Sequence, residues 1–258
     1  MLPLSGLGIY PPQMTTIIRQ SHICLTGFIK TGKVKITIIG SNNLTVNFAL
    51  TLTYRTNSLA LKFTDHIPHH RWLTSSILFV TIHTVSTNNG RMDILKDDIG
   101  LALSMVDARD EANRVWLEDA FTLGKQQNVR ALVIITQADP TAADGSGECT
   151  AYRRMHCDAF ADLRDDVVRL SKGFFPSYKD TRLRPVLFMH GDTGPFCFDK
   201  TFGGDAAPNL WRLNAWGDFT VPADATVVTV QPENKGEPFA AITLLERTVP
   251  GENCLPKF

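Results

Sequence analysis

Two apolar runs of this chain each end in a compact polar cluster: Ala-Leu-Val-Ile-Ile-Thr-Gln-Ala-Asp at residues 131 to 139, and Pro-Val-Leu-Phe-Met-His-Gly-Asp-Thr at 185 to 193. Continuous apolar runs of that length read as strands covered on both faces. The pair would carry Gln137, Asp139, His190 and Asp192 to one edge of a sheet. Mixed imidazole and carboxylate donors suit hard or borderline divalent cations, and Gly191 lets the backbone turn tightly enough for His190 and Asp192 to converge. Ligands of open α/β sheets bind outside the carboxyl ends of the strands, so this edge is where function is expected. A third apolar run, residues 77 to 82, ends in His83 and the turn-rich Ser86-Thr87-Asn88-Asn89-Gly90. Each piece also has a plainer use. Asp192 and Asp139-Pro140 suit turns, a strand-end histidine often satisfies a core hydrogen bond, and glutamine is an infrequent metal ligand.

The elements that would hold these residues follow from periodicity. Residues 107 to 125 predict an amphipathic helix with Ala108, Ala112, Val115, Trp116, Ala120 and Leu123 on its apolar face and Gly124 near its stop. A second helix is expected from about residue 155 to 172, through Phe160, Leu163, Val167 and Leu170. Strand, helix, strand, helix, strand in that order implies right-handed crossovers and a parallel or mixed sheet. The last third reads as short antiparallel strands around residues 209 to 214, 225 to 230 and 239 to 245. Residues 32 to 63 are Thr-rich and β-branched, which fits either strands or extended chain. The Asp65-His66-Ile-Pro-His69-His70 cluster is read as a solvated loop.

Composition narrows the partners. The 258 residues are 43% hydrophobic, enough for a real core without help from disulfides. Formal net charge is zero with no Lys/Arg block, which argues against nucleic acid and anionic membrane surfaces. No run approaches the roughly 20 apolar residues of a membrane helix, and the opening residues lack the order of a signal peptide. The charge balance is uneven, since residues 1 to 64 contain no Asp or Glu against six Lys/Arg, leaving 20 basic and 26 acidic side chains in the remainder. The chain is therefore divided at 64/65 into two compositionally different parts. Five cysteines, Cys24, Cys149, Cys157, Cys197 and Cys254, form no C-x-x-C pair, which argues against a zinc ribbon and leaves the compartment open. Walker, G-x-G-x-x-G and G-x-S-x-G motifs are absent from the sequence.

From residue 71 to 245 the order of motifs resembles a group of proteins related to the calcineurin-like metallophosphoesterases. The resembling pieces are Trp72 through Phe79-Val-Thr-Ile-His83, Asn88-Asn89-Gly90, Ala108-Arg-Asp-Glu-Ala-Asn113-Arg-Val-Trp-Leu117, Gln137-Ala-Asp139, His190-Gly-Asp-Thr193 and Asn209-Leu-Trp-Arg-Leu-Asn-Ala-Trp-Gly-Asp218. The resemblance implies an α/β fold, a mixed-sheet two-layer sandwich of the metallophosphoesterase type, with divalent metal (Mn, Fe or Zn) at the strand ends activating water against a small phosphoester. On that basis Gln137, Asp139, His190 and Asp192 are metal ligands, His83 is a catalytic acid or a group behind the ligands, and Asn88 and Asn89 face substrate. Two departures bear on activity. Gly194 stands where the related group has a final His, and residues 1 to 64 supply no carboxylate, so the domain at 65 to 258 is incomplete or divergent at its N-terminus. The expected function is a phosphoester hydrolase with impaired chemistry. The alternative is an inactive scaffold or truncated fragment with a ligand- or protein-binding role.

Overall fold

Period-two alternation sends successive side chains of the apolar runs to two different cores, which sets the layering of this protein. The computed structural model describes residues 25–30, 33–41, 45–48, 69–91, 98–142, 145–175, 182–192, 195–217, 222, 224–252 and 254. In chain order the elements are β1 (Leu25–Lys30), β2 (Lys33–Ser41), β3 (Thr45–Phe48), β4 (Arg71–Thr74), β5 (Ile77–Thr81), the single turn α1 (Ser86–Asn89), α2 (Ile99–Gln126), β6 (Ala131–Ile135), α3 (Ala161–Lys172), β7 (Val186–His190), β8 (Cys197–Asp199), β9 (Leu210–Asn214), β10 (Ala225–Val230), β11 (Phe239–Thr243) and β12 (Gly251–Glu252). The fold is mixed α/β. A seven-stranded sheet runs β12-β8-β9-β7-β6-β5-β4, and a second sheet runs β1-β2-β10-β11 with β3 on β2.

Strands β5, β6, β7 and β9 are parallel, so their carboxyl ends share one edge. Strands β4 and β8 flank them antiparallel. On one face Ile77, Phe79, Val133, Leu187, Met189, Trp211 and Leu213 meet Val228, Val230 and Phe239 of the second sheet. On the other face Leu78, Val80, Leu132, Ile134, Phe188 and Leu210 meet Leu117, Phe121 and Val167 of the helices. Both faces are buried, and the strands read as unbroken apolar runs for that reason. Within the second sheet β2 pairs antiparallel with β10, from Val34 opposite Val230 to Ile39 opposite Ala225. The acid-free opening part thus joins a strand from the C-terminal third.

Several expectations are corrected. Helix α2 begins at Ile99, a full two turns before the expected start, where the Asp98 carboxylate accepts from Leu101 N at 2.9 Å. Its buried residues are Val106, Asn113, Leu117, Ala120, Phe121 and Gly124, while Ala108, Ala112 and Val115 face solvent. The face is rotated because two inward positions are not hydrophobic at all. The helix ends at Gln126, close to Gly124 as expected, and Gly124 is buried where a Cβ would come within 3.1 Å of the Phe174 ring, tighter than most contacts. Helix α3 starts at Ala161 rather than near 155, because residues 151 to 160 form turns. Strand β9 is parallel to β7, against the antiparallel expectation, whereas β10 and β11 are antiparallel as expected.

His69 and His70 are not a solvated loop. The His69 ring stacks on Trp116 with centroids 5.6 Å apart, and Thr81 N donates to His70 O at 2.8 Å. Asp65 and His66 lie outside the described residues, as do Cys24, Thr193 and Gly194. Two disulfides, Cys149–Cys157 and Cys197–Cys254, cross-link a fold whose size alone did not call for them. Among the described residues no helix is long and apolar enough to cross a membrane.

Candidate functional site

Alternation continues past the strand ends and builds a polar cluster on the helix-facing side. Phe188 faces the helices, so His190 does too; Leu210 faces them, so Arg212 and Asn214 follow. His190 lies opposite Asn214, and Phe188 opposite Arg212, in the β7–β9 register. Asp139 arrives from the loop after β6. The structure brings Asp139 Oδ1 to 3.9 Å from His190 Nε2 and 3.8 Å from Arg212 Nη1.

All three side chains are nearly without solvent contact. The His190 Nδ1 lies 3.1 Å from Gly191 O; since a carbonyl only accepts, Nδ1 carries the proton, and the neutral ring presents a bare lone pair at Nε2. That Nε2 has no hydrogen-bond partner. Burial lowers the His190 pKa below its ordinary value; Asp139 opposes the shift, Arg212 reinforces it, and the Gly191 hydrogen bond opposes it. Arg212 donates from Nη1 to Thr141 Oγ1 at 2.7 Å and from Nη2 to Cys254 O at 2.9 Å, and its guanidinium sits 5.1 Å over the Phe202 ring. Its Nε has no hydrogen-bond partner. Thr141 connects the two charges, because its own hydroxyl and backbone N–H donate to Asp139 Oδ1 at 2.7 and 2.8 Å.

The other candidates are placed as follows. Gln137 Nε2 donates to Asp192 Oδ1 at 3.2 Å, and Gly191 N donates to Gln137 O at 3.0 Å, so the β6 and β7 exits are tied to each other. Asp192 has a φ of 78°, which the tight turn after His190 requires. His83 follows β5 with its backbone clamped by Asn113: Oδ1 accepts from His83 N at 2.9 Å, and Nδ2 donates to His83 O at 2.6 Å. The same Oδ1 lies 2.7 Å from His69 Nε2.

Asn88 and Asn89 are buried, and their amides are engaged inside the protein. Asn88 Nδ2 donates to Arg154 O at 3.1 Å and to Cys157 Sγ at 3.3 Å, while its Oδ1 accepts from Ala159 N at 3.2 Å. Asn89 Nδ2 donates to Asp110 Oδ1 at 2.8 Å, and Arg109 Nη2 donates to Asn89 Oδ1 at 2.9 Å. Both have positive φ, as does Gly90, and this network holds the left-handed turn. Their observed work is to shape the β5 exit.

Whether these residues fit a divalent metal is a question of donors and charge. Among the described residues no group of three or more His, Cys, Asp or Glu side chains is placed to hold one. Asp139 Oδ1 already accepts two hydrogen bonds, and a fixed guanidinium stands beside it. The donors placed by Gln137, Asp139, His190 and Asp192, expected as ligands of a divalent metal, do not make up such a group.

Sequence reasoning missed Arg212, Thr141 and Asn113. Arg212 did leave a signal, as the single charge within the five-residue buried strand Leu-Trp-Arg-Leu-Asn, since an arginine is almost never fully buried without partners. Comparison with known proteins finds no matching family model, no matching curated protein and no matching solved structure.

Proposed function

We propose that this chain is a scaffold of the metallophosphoesterase type in which metal-dependent hydrolysis of phosphate esters is impaired or lost, and that its strand-end cluster serves binding rather than turnover. The motif order from residue 71 to 245 supports the family reading, together with parallel strands that end together at His83, Gln137, Asp139, His190 and Asp192. The observation that carries loss of chemistry is Arg212. Its guanidinium stands 3.8 Å from Asp139 Oδ1 and is itself fixed by Thr141 and Cys254. Two dications need several carboxylates to offset them, and the described cluster offers Asp139 and Asp192 against one resident cation.

What the cluster retains is a buried lone-pair acceptor at His190 Nε2 among fixed dipoles. The test is metal content of the purified full chain by mass spectrometry after exposure to Mn²⁺, Fe²⁺ and Zn²⁺, alongside turnover of p-nitrophenyl phosphate and its diester. The expected result is no stoichiometric metal that depends on Asp139, shown by an unchanged Asp139→Asn variant, and no turnover above the metal-only blank. About two ions per chain, lost in Asp139→Asn and accompanied by hydrolysis, would overturn the reading and restore a working hydrolase.

A further inference from the structure

The two disulfides lie at the strand-end edge: Cys197–Cys254 touches the cluster through Arg212, and Cys149–Cys157 borders the β5 exit through Asn88. Cys254 supplies the backbone carbonyl that accepts from Arg212 Nη2, and its sulfur is bonded to Cys197 at the start of β8. Strand β12 is only two residues long, and both are exposed. So short a terminal strand is held weakly by its own ladder, and the Cys197–Cys254 bond is what keeps the Cys254 carbonyl under the guanidinium. Without that carbonyl a buried arginine whose Nε already has no hydrogen-bond partner loses one of its two remaining acceptors.

The Cys149–Cys157 bond does the same for the other side. Cys157 is fully buried, and its sulfur accepts from Asn88 Nδ2 in the left-handed turn that shapes the β5 exit. The chain just before this loop packs closely against it, since a Cβ at Gly145 would come within 2.4 Å of the His156 carbonyl carbon. Residues 145 to 160 contain no helix or strand, and this cross-link and the Asn88 hydrogen bonds hold them alongside the Arg153–Ser146 and Arg164–Asp158 contacts. In both pairs the Cα atoms stand 5.0 and 5.2 Å apart, inside the range a disulfide requires. Two independent pairs, one anchored to Arg212 of the cluster and the other to the β5 exit on the same sheet edge, are not explained by chance proximity of thiols.

We infer that this chain reaches its folded form in an oxidising compartment, and that its two disulfides are clasps which keep the strand-end cluster closed, so that reduction opens it. Structural disulfides persist where the surroundings are oxidising and are rare where glutathione and thioredoxin keep thiols reduced. Each clasp forms by exchange with a low-molecular-weight disulfide such as glutathione disulfide. One cysteine thiolate attacks that disulfide and displaces a thiolate; the second cysteine, as thiolate, then attacks the mixed disulfide and displaces the other. One S–S bond is formed in the protein, one is broken in the oxidant, two electrons pass to the oxidant, and the two protons lost by the cysteines end on the released thiols.

The first test counts thiols on the full chain expressed through an oxidising secretory route. After denaturation in N-ethylmaleimide, intact mass should show four fewer adducts before reduction than after it, with digestion yielding linked peptides for residues 149/157 and 197/254. Equal adduct numbers, or a different pairing, overturn the inference whatever the metal and turnover assays give. The second test asks whether the bonds act as clasps. Dithiothreitol treatment, and separately the Cys149→Ser/Cys157→Ser and Cys197→Ser/Cys254→Ser variants, should speed tryptic cleavage after Arg153 and Arg154 about tenfold for the first pair. For the second pair they should lower the thermal midpoint by on the order of 10 °C. Should a double variant fail to fold, the dithiothreitol titration of the unmodified chain still reads both quantities. Cleavage and midpoint unmoved by complete reduction would refute the clasp role even with both bonds confirmed.

Discussion

Lowering the pH from about 7.5 to about 5.5 probes the burial of His190 directly, because a proton on its Nε2 must enter a site closed to solvent, with the Arg212 charge close by. The ring is enclosed and its neutral form is fixed on Gly191 O, while Asp139 at 3.9 Å is too far for a direct hydrogen bond to the new proton. Burial is the largest cause of the downward shift, with Asp139 and the Gly191 bond opposing it and Arg212 adding to it. The folded pKa therefore lies below the unfolded value of 6.5. In the window beneath 6.5 the unfolded chain binds the proton and the folded chain does not. Stability is full above that window and falls as the pH drops through it, at a slope of no more than about 1.4 kcal/mol per pH unit. Integrated from pH 6.5 to 5.5, one such histidine removes at most about 1 kcal/mol. His69 shifts the same way, lowered first by burial, raised by Asn113 and lowered by His70, so it needs its own control. Urea midpoints of the unmodified chain, His190→Gln and His69→Gln, measured at both pH values, separate the two. The unmodified chain should lose more stability than His190→Gln over the interval, by an amount bounded by the slope above. Parallel losses in the two would refute the argument, since they would mean that the folded protein admits a proton at His190 as readily as water does.

Two further substitutions test the scaffold around the cluster. Asn113→Ala removes both bonds to the His83 backbone and the contact with His69, and should cost about 2 to 3 kcal/mol by chemical denaturation; a change under about 0.5 kcal/mol would mean the β5 exit is held by something else. Asp139→Asn should destabilise by about 3 kcal/mol, because it leaves the Arg212 charge buried without its counterion. Adding Arg212→Met to it should recover part of that loss. A double-mutant cycle showing coupling near zero would break the pairing on which the reading of the cluster depends.

The sheet was legible from sequence because burial on both faces produces unbroken apolar runs. Residues 77 to 82, 131 to 136 and 186 to 189 correspond to β5, β6 and β7, and the polar residues at their ends do share one edge. The interior of α2 was misread because Asn113 and Gly124 occupy its buried face, and neither contributes to a hydrophobic pattern. Strand β9 looked antiparallel because the sequence before it lacks a crossover helix. It enters parallel to β7 from a loop instead, with β8 paired antiparallel on its other side. Cysteine spacing could not reveal connectivity, since 149/157 and 197/254 share no common separation and each pair is set by tertiary approach.

Charge accounting at the strand ends explains why the same residues read as a metal site in sequence and not in space. Read along the chain, Gln137, Asp139, His190 and Asp192 are four donors of suitable type. In space Arg212 enters among them from β9, a strand that contributed no expected ligand. Two carboxylates and one guanidinium leave the described cluster with a single net negative charge, and the lowered pKa of His190 keeps its ring from adding a positive one. A dication at Asp139 would be repelled by the guanidinium that stands 3.8 Å from Oδ1. Moving Arg212 away would break its bonds to Thr141 and Cys254. The arginine thus does the neutralising that a metal does elsewhere, with one difference in consequence. A metal polarises a bound water for attack, whereas a guanidinium held by Thr141, Cys254 and Phe202 has no open coordination position to offer one.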